Sequence, residues 1–245
     1  MYPTSRNETI ADGIVHALSI SLGLYGAVWL WCYLPMWRTT EMSWAVGIYV
    51  VIMVSAFTVS GIYHMTPISD LRVRLRRADH GLIFLRIASS YTPLVLVINT
   101  PFSYVVLAGV WIAALIGFFS KLVFWKGEGG SSLALYFALS CAMFLLIWPM
   151  WQRLDHTSIW LLLGGGATYG IGAIFYPRKT MPYRYPVWHI FVTAASAAFF
   201  VAIAIAIRRL QHVQIGAHTG LHMTETITAQ MLTAIPTCYN DQMIA

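Results

Sequence analysis

Charge is what this chain has least of. Only 10% of its 245 residues are Asp, Glu, Lys or Arg, against about 25% in an ordinary soluble domain. Acidic residues are the scarcest, 9 against 15 Lys and Arg. The basic residues lie in short segments between apolar runs. The net charge of +6 therefore reads as topological information, not as a nucleic-acid footprint. Cysteine is also scarce. Cys32, Cys141 and Cys238 are isolated and show no C-x-x-C spacing, which excludes a disulfide framework and a thiolate metal site. No cleavable leader is apparent, because MYPTSRNETIAD is polar and the first apolar run is long enough to span. Neither a ring of like charges nor a filter-like glycine motif marks a pore.

What the chain does have is apolar length. It is 58% hydrophobic, with a mean hydropathy of +0.68. A bilayer core takes about 20 mainly apolar residues per helix, and seven stretches qualify: roughly 13–35, 43–64, 80–100, 103–122, 132–150, 158–176 and 186–207. The expected fold is an all-α integral membrane protein, a seven-helix bundle. A short N-terminus (1–12) precedes the membrane domain (13–209), and a polar tail (210–245) is expected to be poorly ordered. In that tail His218 and His222 could grip a metal if helical, with Glu225 as the one further ligand type nearby.

The Lys/Arg balance predicts orientation. One side holds Arg6, Arg72, Arg74, Arg76, Arg77, Lys121, Lys126, Arg178, Lys179 and Arg184, ten in all. The other holds four, Arg38, Arg153, Arg208 and Arg209. This places the N-terminus in the cytoplasm and the C-terminus outside. Arg86 falls inside the third span. A central arginine costs about 2.5–3.5 kcal/mol on insertion scales, so it either snorkels to the headgroups or stands in a cavity, where it would bind an acidic lipid headgroup or a fatty-acid carboxylate. Gly164, Gly165, Gly166, Gly170 and Gly172 crowd the sixth span. They read as close helix packing inside the bundle.

With that topology, polar residues gather at one leaflet. Ser60 and His64 end the second span, Asp79 and His80 open the third, His189 lies in the first turn of the seventh, and His16 lies near the start of the first. Ionisable residues at such positions are functional candidates by default. Imidazoles and a carboxylate suit zinc, and an open zinc site can carry an activated water. Ser60 and His64, one turn apart, share a helix face. The plainer alternative makes each a satisfied helix-end residue, with Asp79 simply capping the third span.

Six fragments in order carry a resemblance: ETIADGIVH (8–16), SGIYH (60–64), ADHGLIFLRIASSYTP (78–93), WIAALIGFFSK (111–121), GGATYGIGAIFY (165–176) and WHIFV (188–192). The chain resembles the hemolysin III family, bacterial relatives of the progestin and adiponectin receptors. The resemblance implies a multi-pass protein of the bacterial inner membrane with a zinc site near the cytoplasmic side. Carried over, the metal ligand positions are His64 and His189, with Asp79 on the zinc-bound water or on the metal and Ser60 beside them. A further span-seven histidine of the family is here Tyr185, and another is Phe199.

Two functions are implied. One is a zinc-dependent lipid amide or ester hydrolase using Asp79 and Ser60 on a substrate drawn from membrane lipids. The other is a non-enzymatic protein of membrane homeostasis or permeability, which the family's association with haemolysis suggests. A receptor-like sensor ranks behind both, because the short loops leave little surface for a protein partner.

Overall fold

A computed structural model describes residues 4–33, 39–124 and 130–233. These are helical almost throughout. The helices are α1 (Arg6–Tyr33), α2 (Thr40–Met65), α3 (Asp70–Ile98), α4 (Pro101–Phe124), α5 (Gly130–Cys141), α6 (Ile147–Arg153), α7 (His156–Phe175) and α8 (Arg184–Thr233), with a 3₁₀ turn at Ala142–Leu146. Among the described residues, seven segments are long and apolar enough to cross a membrane. The chain divides into two units, Met1–Ile207 and Arg208–Ala245. In the second, the backbone is helical to Thr233. Residues 234–245 and the side chains of His218, His222 and Glu225 lie outside the described residues.

Capping chemistry starts two helices earlier than hydropathy suggests. Ser5-Arg6-Asn7-Glu8 is a capping box. Glu8 N donates to Ser5 Oγ at 3.3 Å, and Ser5 N donates to Glu8 Oε2 at 3.0 Å. Helix α1 therefore begins seven residues before the apolar run and places Asp12 on a regular helix. Ser69 likewise caps α3 by accepting from Arg72 N at 3.2 Å. The arginines expected in a loop thus ride on the first turns of α3. Asp79, nine residues beyond Asp70, is not a cap. Asn99 ends α3 in the left-handed region at φ 49°. Thr100 and Ser103 then cap each other around Pro101 to start α4.

The third helix is the axis of the bundle. In its most apolar stretch 61% of residues are buried, against 39% or less in the other spans. Its packing on α4 is reciprocal. A Cβ on Gly81 would stand 3.0 Å from Phe118, and one on Gly117 only 2.7 Å from Phe84. Each glycine thus makes room for the other helix's ring. On α7 only part of the small-residue expectation holds. Gly165 seats Phe199 and Gly172 seats Phe191, but Gly164, Gly166 and Gly170 face open space. The G-x-x-x-G at 166–170 is therefore not packed within the described bundle. The fifth span is not one helix. Pro149 lacks an N–H and is tolerated in the first turn of α6, the preceding turn tightens to 3₁₀, and buried Tyr91 donates toward Leu139 O and Ser140 O at 3.0 Å.

Candidate metal centre

Elements that start or end at the same end of the bundle bring four side chains together. Asp12 and His16 are one turn apart on α1, His64 lies in the last turn of α2, and His189 lies in the second turn of α8. One ligand atom from each lies within 4.8 Å of all the others. All four residues are buried, between 3% and 8% exposed. Asp12 is the hub. Its Oδ2 is 2.7 Å from His64 Nδ1 and its Oδ1 is 2.7 Å from His189 Nδ1. An ionised carboxylate only accepts, so in this arrangement both imidazoles donate to it.

The three rings pack against one another, tilted or edge-on. Centroids are 4.2 Å apart for His16 and His189, 4.5 Å for His64 and His189, and 5.1 Å for His16 and His64. His16 Nε2 is buried without a hydrogen bond, 3.7 Å from Asp12 Oδ1. Burying such an atom unpaired is costly, and a cation among the four would satisfy it. Three imidazoles and a carboxylate are a borderline-soft donor set of the kind that holds zinc. The residues present therefore fit a metal ion.

Two contacts hold the frame. Ser19 Oγ lies 2.5 Å from Thr193 Oγ1, joining α1 to α8 one turn deeper than His16 and His189. Arg72, on the first turn of α3, reaches back to the end of α2. Its Nη1 donates to Tyr63 O at 2.9 Å, to His64 O at 3.3 Å and to Thr66 O. These carbonyls lie at the end of α2, where carbonyls lack the usual i+4 partners, and Tyr63 O also accepts from Thr66 N at 3.3 Å. A polar cleft of about 300 Å³ reaches Asp12 from the bundle end, with Glu8, Lys179, Arg184 and Tyr185 in its walls.

The residues singled out in the sequence divide. His16, His64 and His189 lie in the four-membered group. Asp79 lies outside it: its Oδ2 is 3.3 Å from His80 Nδ1, and Ser60 hydrogen-bonds the same carboxylate. His80 is engaged elsewhere, with Nδ1 3.0 Å from Arg76 O and Nε2 3.2 Å from Tyr176 OH. Tyr185 packs edge-on against His64 with centroids 5.1 Å apart, but its hydroxyl accepts from Arg184 Nη2 at 2.7 Å and points away from a ligand role. Phe199 packs on Gly165 near Tyr169. Sequence reasoning missed Asp12 altogether. The available signal was the i, i+4 pair Asp12–His16, preceded by the Ser5–Glu8 box.

Comparison with known proteins agrees with this architecture. The family model described as "Haemolysin-III related" matches residues 4–200. Hemolysin-3 of Bacillus cereus is 28% identical over 197 residues, covering 80% of this chain and 90% of that protein. The Hemolysin-3 homolog of Bacillus subtilis (strain 168) is also 28% identical over 197 residues, covering 80% of this chain and 92% of its own length. A seven-span architecture with a buried Asp/His cluster, matched by that model over most of its length, is thus a multi-pass membrane protein that belongs to the haemolysin-III related family.

Proposed function

We propose that this protein is a zinc-dependent hydrolase of lipid amides or esters, with its centre at the cytoplasmic leaflet of a bacterial plasma membrane. The observation that carries the proposal is the orphaned His16 Nε2 inside a buried group of three imidazoles and a carboxylate. His16, His64 and His189 would hold the ion. Asp12 would complete the set or fix the rings, as carboxylates behind metal-bound histidines do. When bound, zinc supplies a water acidic enough to ionise near neutral pH.

The remaining work falls to this chain's own side chains. The Asp79 carboxylate takes the proton of the attacking water and returns it to the leaving nitrogen or oxygen as the carbonyl carbon's bond to that atom breaks. The Ser60 hydroxyl, a hydrogen-bond partner of Asp79, would hold that carboxylate in place. Inward orientation of the N-terminus rests on the ten-to-four Lys/Arg bias.

The test is turnover of a ceramide-like amide and a phospholipid ester in proteoliposomes. Asp79→Asn is expected to lower the rate about 100-fold or more, the usual worth of a positioned general base, with metal content unchanged. Equal turnover by wild type and Asp79→Asn would overturn the assignment. A second reading, a protein that alters membrane permeability, is favoured by the Bacillus relatives' name, hemolysin. Dye release from the same proteoliposomes, unaffected by Asp79→Asn, would support it.

A further inference from the structure

A second polar layer lies one heptad deeper than the histidine cluster. Three helices make the same step, two from the cluster and one from Asp79 outside it: His64 to Phe57 on α2, His189 to Ser196 on α8, and Asp79 to Arg86 on α3. Seven residues bring a helix back to within about 20° of the same face and about 10 Å along its axis. The deeper layer is thus stacked beneath the candidate metal centre.

Arg86 dominates this layer. Its Nη2 donates to Ser196 Oγ, and its guanidinium stands 4.3 Å from the centre of the Phe57 ring. Ser196 Oγ also lies 2.7 Å from Tyr169 OH and donates to Val192 O. These neighbours belong to α2, α7 and α8, so the side chain turns into the bundle instead of running up to the headgroups. The snorkelling alternative does not describe it.

Its charge, however, is not balanced. Among the described residues no carboxylate lies within ion-pair distance of Arg86, and the two nearest acids by depth, Asp12 and Asp79, are bonded to histidines. Arg86 itself is half-buried, not fully enclosed by protein. An unpaired cation inside a membrane bundle marks a binding pathway or a missing anion.

We propose that Arg86 anchors a binding site for a carboxylate carried on an apolar tail, inside the bundle between α2, α3, α7 and α8. The planar guanidinium presents parallel N–H donors that match a carboxylate's two oxygens, and Ser196 fixes the fork by accepting one of its donors. Phe57 and the Phe199 ring, 6.1 Å from Tyr169, supply apolar walls for the tail. A carboxylic acid can cross the apolar phase protonated and release its proton to water on pairing with Arg86. A phosphate headgroup would have to make the same descent charged. The site does not depend on the metal reading.

The test uses a fluorescent polyene fatty acid, its methyl ester and chloride as probes, with detergent-purified protein before and after chelation. The acid should bind wild type and bind Arg86→Met at least tenfold more weakly, while the ester binds both weakly and alike. Chelation should leave acid binding intact. Arg86→Met removes a charge from an apolar setting, so its thermal stability should match or exceed that of wild type, which separates lost binding from lost fold. Equal affinity in wild type and Arg86→Met overturns the proposal. So does loss of acid binding on chelation, which moves the carboxylate to the histidine cluster, or full displacement by physiological chloride, which makes the ligand an inorganic ion.

Discussion

Asp12→Ala is expected to cost this protein about 2–4 kcal/mol of stability, because it leaves two buried imidazole N–H groups without acceptors at about 1–3 kcal/mol each. Both 2.7 Å contacts of the hub disappear together. Metal affinity should fall with them by about 10–100-fold, the usual cost of removing a carboxylate that orients metal-bound histidines. Asp12→Asn separates the two effects. It keeps the volume and one acceptor oxygen, so it should lose less stability, yet it still loses metal affinity with the charge. Thermal unfolding in detergent, run beside a zinc titration, reads both. Wild-type behaviour of Asp12→Ala in both assays would remove Asp12 from the centre of this account.

Arg72→Met is expected to have the next largest effect, although Arg72 makes no contact with the ligand atoms in the group. Its buried guanidinium ties down the carbonyls of Tyr63, His64 and Thr66 and lies 4.6 Å from the Tyr63 ring centre. Hydrogen bonds from a charged donor are worth about 1.5–3 kcal/mol each. They share one nitrogen here, so a loss of about 2–3 kcal/mol is reasonable. The last turn of α2 would fray with His64 on it, and zinc affinity should drop about tenfold or more with every ligand still present, as for other groups that orient ligands. Arg72→Lys keeps a donor but not the fork, so it should recover part of the affinity. If Arg72→Met loses stability yet binds zinc as wild type does, the arginine is a cap alone and does not position His64.

The seven spans were legible because bilayer thickness imposes a length and a composition that any sequence must show. His64 and His189 were legible because each is an ionisable residue at the end of a long apolar run. Asp12 was not, for a physical reason. Hydropathy places the first span at 13, whereas the helix begins at Arg6, where Ser5 and Glu8 exchange hydrogen bonds. A polar first turn is still helix, and its Asp12 and His16 point to one face. The same cause hid the true start of α3 at Asp70 and made Asp79 look like a cap. Tyr185 was read as a gap in the ligand set. Three imidazoles meet nevertheless, because His16, which the span pattern already puts at the same leaflet, packs from α1 on His189 more than 170 residues away along the chain. The break in the fifth span depends on Pro149 and on Tyr91 reaching across from α3, and only the second of these lies outside the segment's own sequence.

The central claim is that four residues on three helices form one metal site. Elemental analysis of the detergent-purified protein, beside a His64→Ala variant checked for monodispersity, tests it most directly. The account predicts close to one zinc per chain in wild type and its loss in the variant. A folded, monodisperse wild type that carries no metal and takes up none when zinc is added would contradict it, leaving Asp12 and the three histidines as a polar lock between helices.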